Sequence, residues 1–334
     1  MIGTRGTRAE SDDRDLSALV EEFFRTTFAT DNLLITEAVR RMLAAGGKRL
    51  RPRLTLLAAE ANGADPREHL ALAAYMELIH VGTLIHDDVV DRADTRRGVN
   101  ATAIDYGNRV SVLAGDYLFA WIFKNVTANY PAPVPHILSS TLAAITDGEV
   151  LQLRALGDLD LPLSQYLEVV VKKTASLFSA SAECGAIMAG AESSRVKALR
   201  DFGRHFGIAF QMLDDLLDVT ADESEIGKPV GNDLRERKIT IPLILALEDG
   251  SREVRGEIER YYRTGPEQGE RPAELRRLSE LILAAGGARK TREAIADYVE
   301  RAKSALAPLG ATPARLELAA LADGLARDSV ARTR

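Results

Sequence analysis

Apolar residues in this chain gather into long stretches, and none of them alternates cleanly with the period of two expected of a half-buried strand. Helix punctuation fills the gaps between them. Gly46-Gly47 closes a predicted helix over residues 30–45, and Pro52 suits the first turn of the next. Asp65-Pro66 reads as a cap and proline opening a long apolar helix to about residue 91. A polar loop over 92–100 precedes a helix over 108–129, and Pro131, Pro133 and Pro135 break the chain after it. Further helices are predicted over 136–156, 164–189 and 194–219, followed by a charged loop over 220–237. The last third alternates helices with turns such as Gly286-Gly287 and residues 308–313. The expectation is an all-α fold, one large helical bundle of about ten or more helices. It forms a single domain over residues 1–334, with residues 1–15 flexible.

Composition supports that reading, since Ala, Leu, Glu and Arg dominate and aromatic residues are only 5%. Asp plus Glu outnumber Lys plus Arg by 49 to 43, for a net charge of −6. That balance argues against a general nucleic-acid or anionic-membrane surface. Cys184 is the only cysteine, which excludes an internal disulfide and a cysteine-rich metal site and fits the cytoplasm. Charged residues from Arg5 to Arg14 have no apolar run behind them, so no signal peptide is expected. Apolar stretches such as those at 110–113 and 241–247 fall far short of the roughly 20 residues of a membrane-spanning helix.

The chemistry lies in a duplication. His86-Asp87-Asp88-Val89-Val90-Asp91 ends one apolar helix, and Asp214-Asp215-Leu216-Leu217-Asp218 ends another. Both carry carboxylates at i, i+1 and i+4. The i and i+4 positions share a helix face, so Asp87 pairs with Asp91 and Asp214 with Asp218. One such motif alone reads as a solvated acidic helix end, but that account does not explain two copies. Like charges beside apolar residues such as Ile85 and Leu213 need a counter-cation. Carboxylate oxygens are hard ligands suited to Mg²⁺, which keeps waters and bridges to phosphates.

Basic residues alternate with these acids. Gly46-Gly47-Lys48-Arg49-Leu50-Arg51 puts three cations on a turn, and Arg96-Arg97 follows the first acidic motif. Arginine forks match phosphate oxygens. Lys172-Lys173-Thr174 interrupts an apolar helix, and Lys228 and Lys238 follow the second motif. His80 lies two helical turns before Asp87 on the same face, and Gln211 lies nearly one turn before Asp214. Any one of these reads more readily as solvated surface. Their alternation with the acids is what marks them out.

In this order, GGKRLRP, LIHDDVVDRADTRRG, GDYL, KKTASLF, FQMLDDLLD and GKPVGNDL resemble the polyprenyl synthetase family, the trans-isoprenyl diphosphate synthases, and most closely its long-chain members. The resemblance covers residues 46–247, more weakly to the end. It implies an isoprenoid synthase fold, helical around a central cavity, and a homodimer or sometimes a heterodimer. It also implies dependence on Mg²⁺, up to three ions bound with the allylic diphosphate. By matching motif, Lys48, Arg51, His80 and Arg97 would hold isopentenyl diphosphate. Asp87, Asp88, Asp91, Asp214, Asp215 and Asp218 would serve the metal ions. Arg96, Lys173, Thr174, Gln211, Lys228 and Lys238 would hold the allylic diphosphate, farnesyl or geranylgeranyl diphosphate being the expected primer. The catalytic set is then Asp87, Asp88, Asp91, Asp214, Asp215, Lys173 and Lys238. Lys172 and Arg237 stand where the family often has glycine, and Val99-Asn100 replaces a common Lys-Pro.

The implied reaction is a head-to-tail condensation. Metal and basic groups stabilise the departing allylic diphosphate, isopentenyl diphosphate attacks the resulting carbocation, and a proton leaves. A class I terpene cyclase would leave Lys48, Arg51 and Arg97 unexplained, and a regulatory subunit of a heteromeric synthase would lack motif residues that are present here. The growing chain would run down the helix face carrying Asp87, past Thr83 at about 6 Å to Met76 at about 16 Å. Gly82 and Thr83 are small, where a bulky aromatic in the family stops the product short. That favours a long product of about C30–C50 over a geranylgeranyl- or farnesyl-length one, with Phe119, Trp121 or Phe123 as a floor. The other account of the small residues is that a neighbouring helix packs closely on them.

Overall fold

The computed structural model describes residues 9–28, 30–96, 98–220, 231–248, 252–263 and 272–331, with side chains from Ala18 onward. The described residues are mainly helical, so the all-α expectation holds. Two compact units form. The first comprises residues 1–139, 180–197 and 312–314, and the second 140–179, 198–311 and 315–334.

In the first unit, α1 (Ala9–Thr27) begins inside the stretch expected to be flexible, so residues 9–15 are helical, while residues 1–8 lie outside the described residues. Helix α2 (Leu33–Ala44) is capped by Asn32, whose side chain accepts from the Leu34 and Ile35 amides and satisfies two of the orphan donors of a helix start. Helix α3 (Leu50–Glu60) follows the Gly46-Gly47 turn. Asp65 caps as expected, accepting from the Arg67 amide at 2.9 Å, but what it opens is a 3-10 turn, Pro66–His69. The long helix α4 (Leu70–Val90) starts only afterwards. It is apolar on nearly all sides, and Met76, Ile79 and Ile85 are fully buried, so it is the core of this unit. Strands β1 (Thr95–Arg96) and β2 (Val99–Asn100) pair antiparallel within the predicted loop. Helix α5 (Thr102–Asn129) has a break at Gly107, with φ of +79°, so its regular part starts where the sequence places it.

Helices α4 and α5 meet through ring against backbone. The Phe119 ring lies over Gly82, and a Cβ there would come within 2.6 Å of it. His86 lies against Gly115 in the same way and makes an edge contact with Phe119 at 5.5 Å. Its Nε2 lies 3.1 Å from the Val112 carbonyl, to which it donates as the Nε2–H tautomer. Further along, Trp121 packs edge-on against Phe28 and Tyr75 at 5.3 and 5.8 Å.

The second unit takes in the later part of α6 (Pro133–Arg154). Pro133 and Pro135 fall in its first turn, where no intrahelical N–H bond is lost, rather than ahead of the helix. The helix predicted over 164–189 is two helices, α7 (Leu163–Val170) and α8 (Ser176–Met188), joined by a π turn at Val171–Ala175. Helix α9 (Ser193–Thr220) packs on that region. A Cβ at Gly207 would come within 2.6 Å of the Ala175 Cα, and Phe206 and Phe210 meet the Phe178 ring at 5.4 and 5.2 Å. The short α10 (Asn232–Arg235) and apolar α11 (Ile241–Glu248) follow. Then come α12 (Arg252–Arg263), α13 (Pro272–Ala284), α14 (Gly287–Ala305) and α15 (Pro313–Ala331). Among the described residues no helix is long and apolar enough to cross a membrane.

The contact between His86 and Gly115 gives a test. Gly115→Ala should lower unfolding stability by about 1–3 kcal/mol, because the methyl group would displace the His86 ring and break its bond to the Val112 carbonyl. Urea denaturation of the two proteins reads this directly, and an unchanged midpoint would refute it.

Candidate active site

The basic turn and the first acidic motif both belong to the first unit. Gly46 (φ +75°) and Arg49 (φ +47°) take left-handed backbone, which winds the chain tightly into α3. Lys48 is exposed there, whereas Arg51, on the first turn of α3, is buried. His80 is half-buried on α4. At the end of α4 the Asp91 amide donates to the Asp87 carbonyl at 2.7 Å, and the Ala93 amide returns to the Asp88 carbonyl at 2.9 Å, closing the helix. Asp87 and Asp91 are half-exposed on this last turn.

Asp88 differs from its two neighbours. Its side chain is fully buried, and Arg96 Nε donates to its Oδ1 at 2.6 Å. An isolated buried carboxylate would be very unfavourable, so the guanidinium serves as its charge partner. Arg96, expected on a diphosphate, is therefore committed at one nitrogen to the acidic motif itself. The β1–β2 pair holds it there, Arg96 opposite Val99 and Thr95 opposite Asn100. Asn100 Nδ2 in turn donates to Asp105 Oδ1 at 3.0 Å, an anchor that the family's proline would lack. Arg97 lies outside the described residues.

In the second unit a chain of hydrogen bonds fixes the second acidic motif. Thr174 Oγ1 donates to Gln211 Oε1 at 2.8 Å, Gln211 Nε2 donates to Asp215 Oδ1 at 2.8 Å, and the Tyr166 hydroxyl donates to Asp215 Oδ2 at 2.6 Å. Asp214 is exposed and Asp215 buried, about 100° apart on the same turn. Asp218 accepts from the Asn232 and Asp233 amides at 3.1 and 3.0 Å, so it also anchors the start of α10. Each carboxylate oxygen has two lone pairs, and this bonding is compatible with a metal as well. Burial pushes the Asp215 carboxyl up to about 7 and that of Asp218 up to about 6, and the neighbouring carboxylates reinforce the shift. Asp233 is raised too, chiefly by burial and then by Asp218 and Asp215. Tyr166 and Asp233 were missed in the sequence. Asp233 sits in the GKPVGNDL motif and could have been found there, whereas Tyr166 has no motif of its own.

Lys173 and Thr174 lie on the π turn, whose extra residue per turn re-aims side chains. Lys173 Nζ donates to Gln152 Oε1 at 2.7 Å and pairs with Glu149, both from α6. Lys172, in place of a glycine, is half-buried and pairs with Asp147 and Glu168 at 3.1 and 3.0 Å. Lys238 pairs with Glu236 at 2.6 Å. The residue before it, Arg237, has φ of +59°, the conformation in which glycine is at ease. Its carbonyl accepts from the Gly157 amide at 2.8 Å, and its guanidinium lies 5.4 Å from the centre of the Tyr262 ring and donates to the Tyr262 carbonyl. Those contacts hold the strained backbone in place. Lys228 lies outside the described residues.

Among the residues expected to set chain length, the smallness of Gly82 is used for the Phe119 contact, which corrects the expectation of an open helix face there. Thr83 donates its hydroxyl to the His80 carbonyl at 2.8 Å, and Met76 is fully buried. Among the described residues no three His, Cys, Asp or Glu side chains are gathered so as to hold a metal ion by themselves. The donor set is one of hard carboxylate oxygens at helix ends. It fits a cation whose remaining ligands are waters and phosphate oxygens, which is how Mg²⁺ usually binds.

Comparisons with known proteins agree with this chemistry. The pattern of the family described as polyprenyl synthetase matches residues 32–279. The octaprenyl diphosphate synthase of Escherichia coli (strain K12) is 40% identical over 293 residues, covering 88% of this chain and 90% of that one. The polyprenyl synthase of Caulobacter crescentus CB15, solved with calcium and isoprenyl diphosphate, superposes with a TM-score of 0.86 at 39% identity and 95% coverage of each chain. A decaprenyl diphosphate synthase from Rhodobacter capsulatus gives a TM-score of 0.85 at 40% identity and 97% coverage of each.

The raised carboxyl groups predict a pH dependence. Asp215 and Asp218 bind their protons more tightly folded than unfolded, so their contribution to stability is present below about pH 4 and lost as pH rises through about 6 and 7. In metal-free protein, the melting temperature should fall from about pH 5 to about pH 8 by more in the wild type than in Asp215→Asn. Scanning calorimetry in chelator makes the comparison, and equal falls would mean that Asp215 is an ordinary carboxyl group.

Proposed function

The chain belongs to the polyprenyl synthetase family and is a prenyltransferase, and from that premise we propose that it condenses isopentenyl diphosphate head-to-tail with an allylic diphosphate, using Mg²⁺, to give a long trans-polyprenyl diphosphate. The observation that carries this reading is Asp215 locked by Tyr166 and Gln211, with Gln211 bonded to Thr174 on the π turn that also bears Lys173. A carboxylate so fixed, in a cluster whose charges repel, is prepared for a cation. When bound, Mg²⁺ would supply Lewis-acid stabilisation of the diphosphate leaving group. Asp87, Asp88, Asp91, Asp214, Asp215 and Asp218 would hold it, up to three ions arriving with the allylic substrate.

The chain's own residues then divide the remaining work. Lys173, Lys238 and Lys228, with Arg96, Thr174 and Gln211, hold the allylic diphosphate and stabilise negative charge as the C–O bond breaks. In place of their present partners, Glu149 and Gln152 for Lys173 and Glu236 for Lys238, the two ammonium groups would meet phosphate oxygens. Lys48, Arg51, His80 and Arg97 hold isopentenyl diphosphate so that its double bond attacks the allylic C1. The proton lost from the adduct leaves on the released diphosphate. Farnesyl or geranylgeranyl diphosphate is the primer we expect.

The octaprenyl and decaprenyl relatives support a long product, of about C30–C50 on the helix-face geometry. A shorter product is the second reading, and Phe119 against Gly82 is the observation that favours it. We also propose a homodimer of a single catalytic domain over 1–334. On α5 the apolar Val112, Leu113 and Tyr117 are exposed, a face suited to a second copy of the chain. The single, buried Cys184 supports a reducing, cytoplasmic setting.

Two measurements test the reading. Asp87→Ala and Asp214→Ala should each lower turnover by about two orders of magnitude or more while circular dichroism keeps its helical form. Near wild-type turnover in both would sink the assignment. Thr83→Phe should shorten the product towards about C15–C20 without stopping the first condensation, as bulk enters about 6 Å from the metal motif. Chromatography of labelled products decides this, and an unchanged length would exclude that helix face as the path of the chain.

A further inference from the structure

Arg49 lies between Lys48 and Arg51, yet its guanidinium is spent inside the protein. Its Nε donates to Glu21 Oε1 at 2.6 Å, Nη1 to Glu77 Oε1 at 3.0 Å and Nη2 to the Leu43 carbonyl at 2.8 Å. It also lies over the Phe24 ring, 5.1 Å from its centre. One side chain thus ties α1, the last turn of α2 and α4 to the basic turn. Glu77 is 3% exposed, and among the described residues its Oε2 has no hydrogen-bond partner. A half-satisfied carboxylate is poor material for stability, since an apolar pair of similar size would serve at least as well. The left-handed backbone of Arg49 is a second cost at the same residue. Two unfavourable features at one point indicate a purpose other than stability.

The placement of Glu77 supplies one. It stands three residues before His80 on α4, about one helical turn. The residues we assign to isopentenyl diphosphate come from separate elements, Lys48 and Arg51 from the turn into α3 and His80 from α4. We propose that the Arg49–Glu77 pair is the positioning device of the isopentenyl diphosphate site, fixing the basic turn against α4 so that Lys48, Arg51 and His80 converge on one diphosphate. Arg49 is a positioning residue and does not touch the substrate. The inference rests on the assignment of those three residues.

The test separates positioning from stability. Arg49→Met and Glu77→Leu should each lower the melting temperature and weaken isopentenyl diphosphate binding by on the order of tenfold to a hundredfold, with little change in KM for farnesyl diphosphate. The double variant leaves neither charge of the pair buried alone, so its melting temperature should return towards that of the wild type while isopentenyl diphosphate binding stays weak. Calorimetric titration of the full chain with isopentenyl diphosphate alone gives the affinity without turnover. Wild-type affinity in the double variant would overturn the proposal. Should that variant not fold, Glu77→Asp, which keeps the charge but shortens its reach by one methylene, decides by the same titration. Arg51→Ala is the control. If it too binds normally, the assignment of the site has failed, and if it alone binds weakly, only the clamp has.

Discussion

The burial of several carboxylates side by side, where water is scarce, is the constraint on which the second unit of this protein depends. Asp215, Asp218 and Asp233 each hold a proton more firmly than a solvated carboxyl group does, and burial is the main cause in all three. The protein spends much local structure on them. Tyr166 and Gln211 donate to Asp215, and the start of α10 is pinned by its amides on Asp218. The first acidic motif meets the same problem differently, by sending a guanidinium from a two-stranded hairpin into Asp88. Two copies of one spacing have thus been given two electrostatic solutions, a neutral donor network and a buried ion pair.

The basic residues show a related economy. Lys172, Lys173 and Lys238 all have acidic partners on the protein, so none is a bare cation. If Lys173 and Lys238 hold the allylic diphosphate as proposed, each phosphate oxygen would replace a protein oxygen already in place, and most of the desolvation of each ammonium group would precede binding.

The sequence makes much of this legible, for reasons that can be named. The cap at Asp65, the Gly46-Gly47 break and the acidic motifs are local signals: Asp65 opens the turn that leads into α4, and the others lie at helix ends. What escapes is whatever depends on partners distant in sequence. Tyr166 is one more apolar-phase residue until α9 brings Asp215 to its hydroxyl, 49 positions away. Gly82 looks like vacant space until α5 lays Phe119 on it. Arg49 looks like a third phosphate ligand until Glu21 and Glu77 claim it. Propensity likewise cannot show the π turn, because Val171–Ala175 is as helical in composition as its flanks.

That turn has a consequence for how the chain tolerates change in length. A π turn holds one residue more than the α-helix around it, so it is equivalent to an insertion absorbed without breaking the helix. Loss of one residue between 171 and 175 would therefore restore ordinary winding and leave the helices on either side near their present phase, whereas in a regular α-helix the same loss would rotate one side by about 100° relative to the other. Tyr166 and Phe178 would both still face α9, the one at Asp215 and the other at Phe206. What the extra residue sets is therefore local: its loss would change the direction in which Lys173 and Thr174 leave the helix, while α7 and α8 kept their common phase.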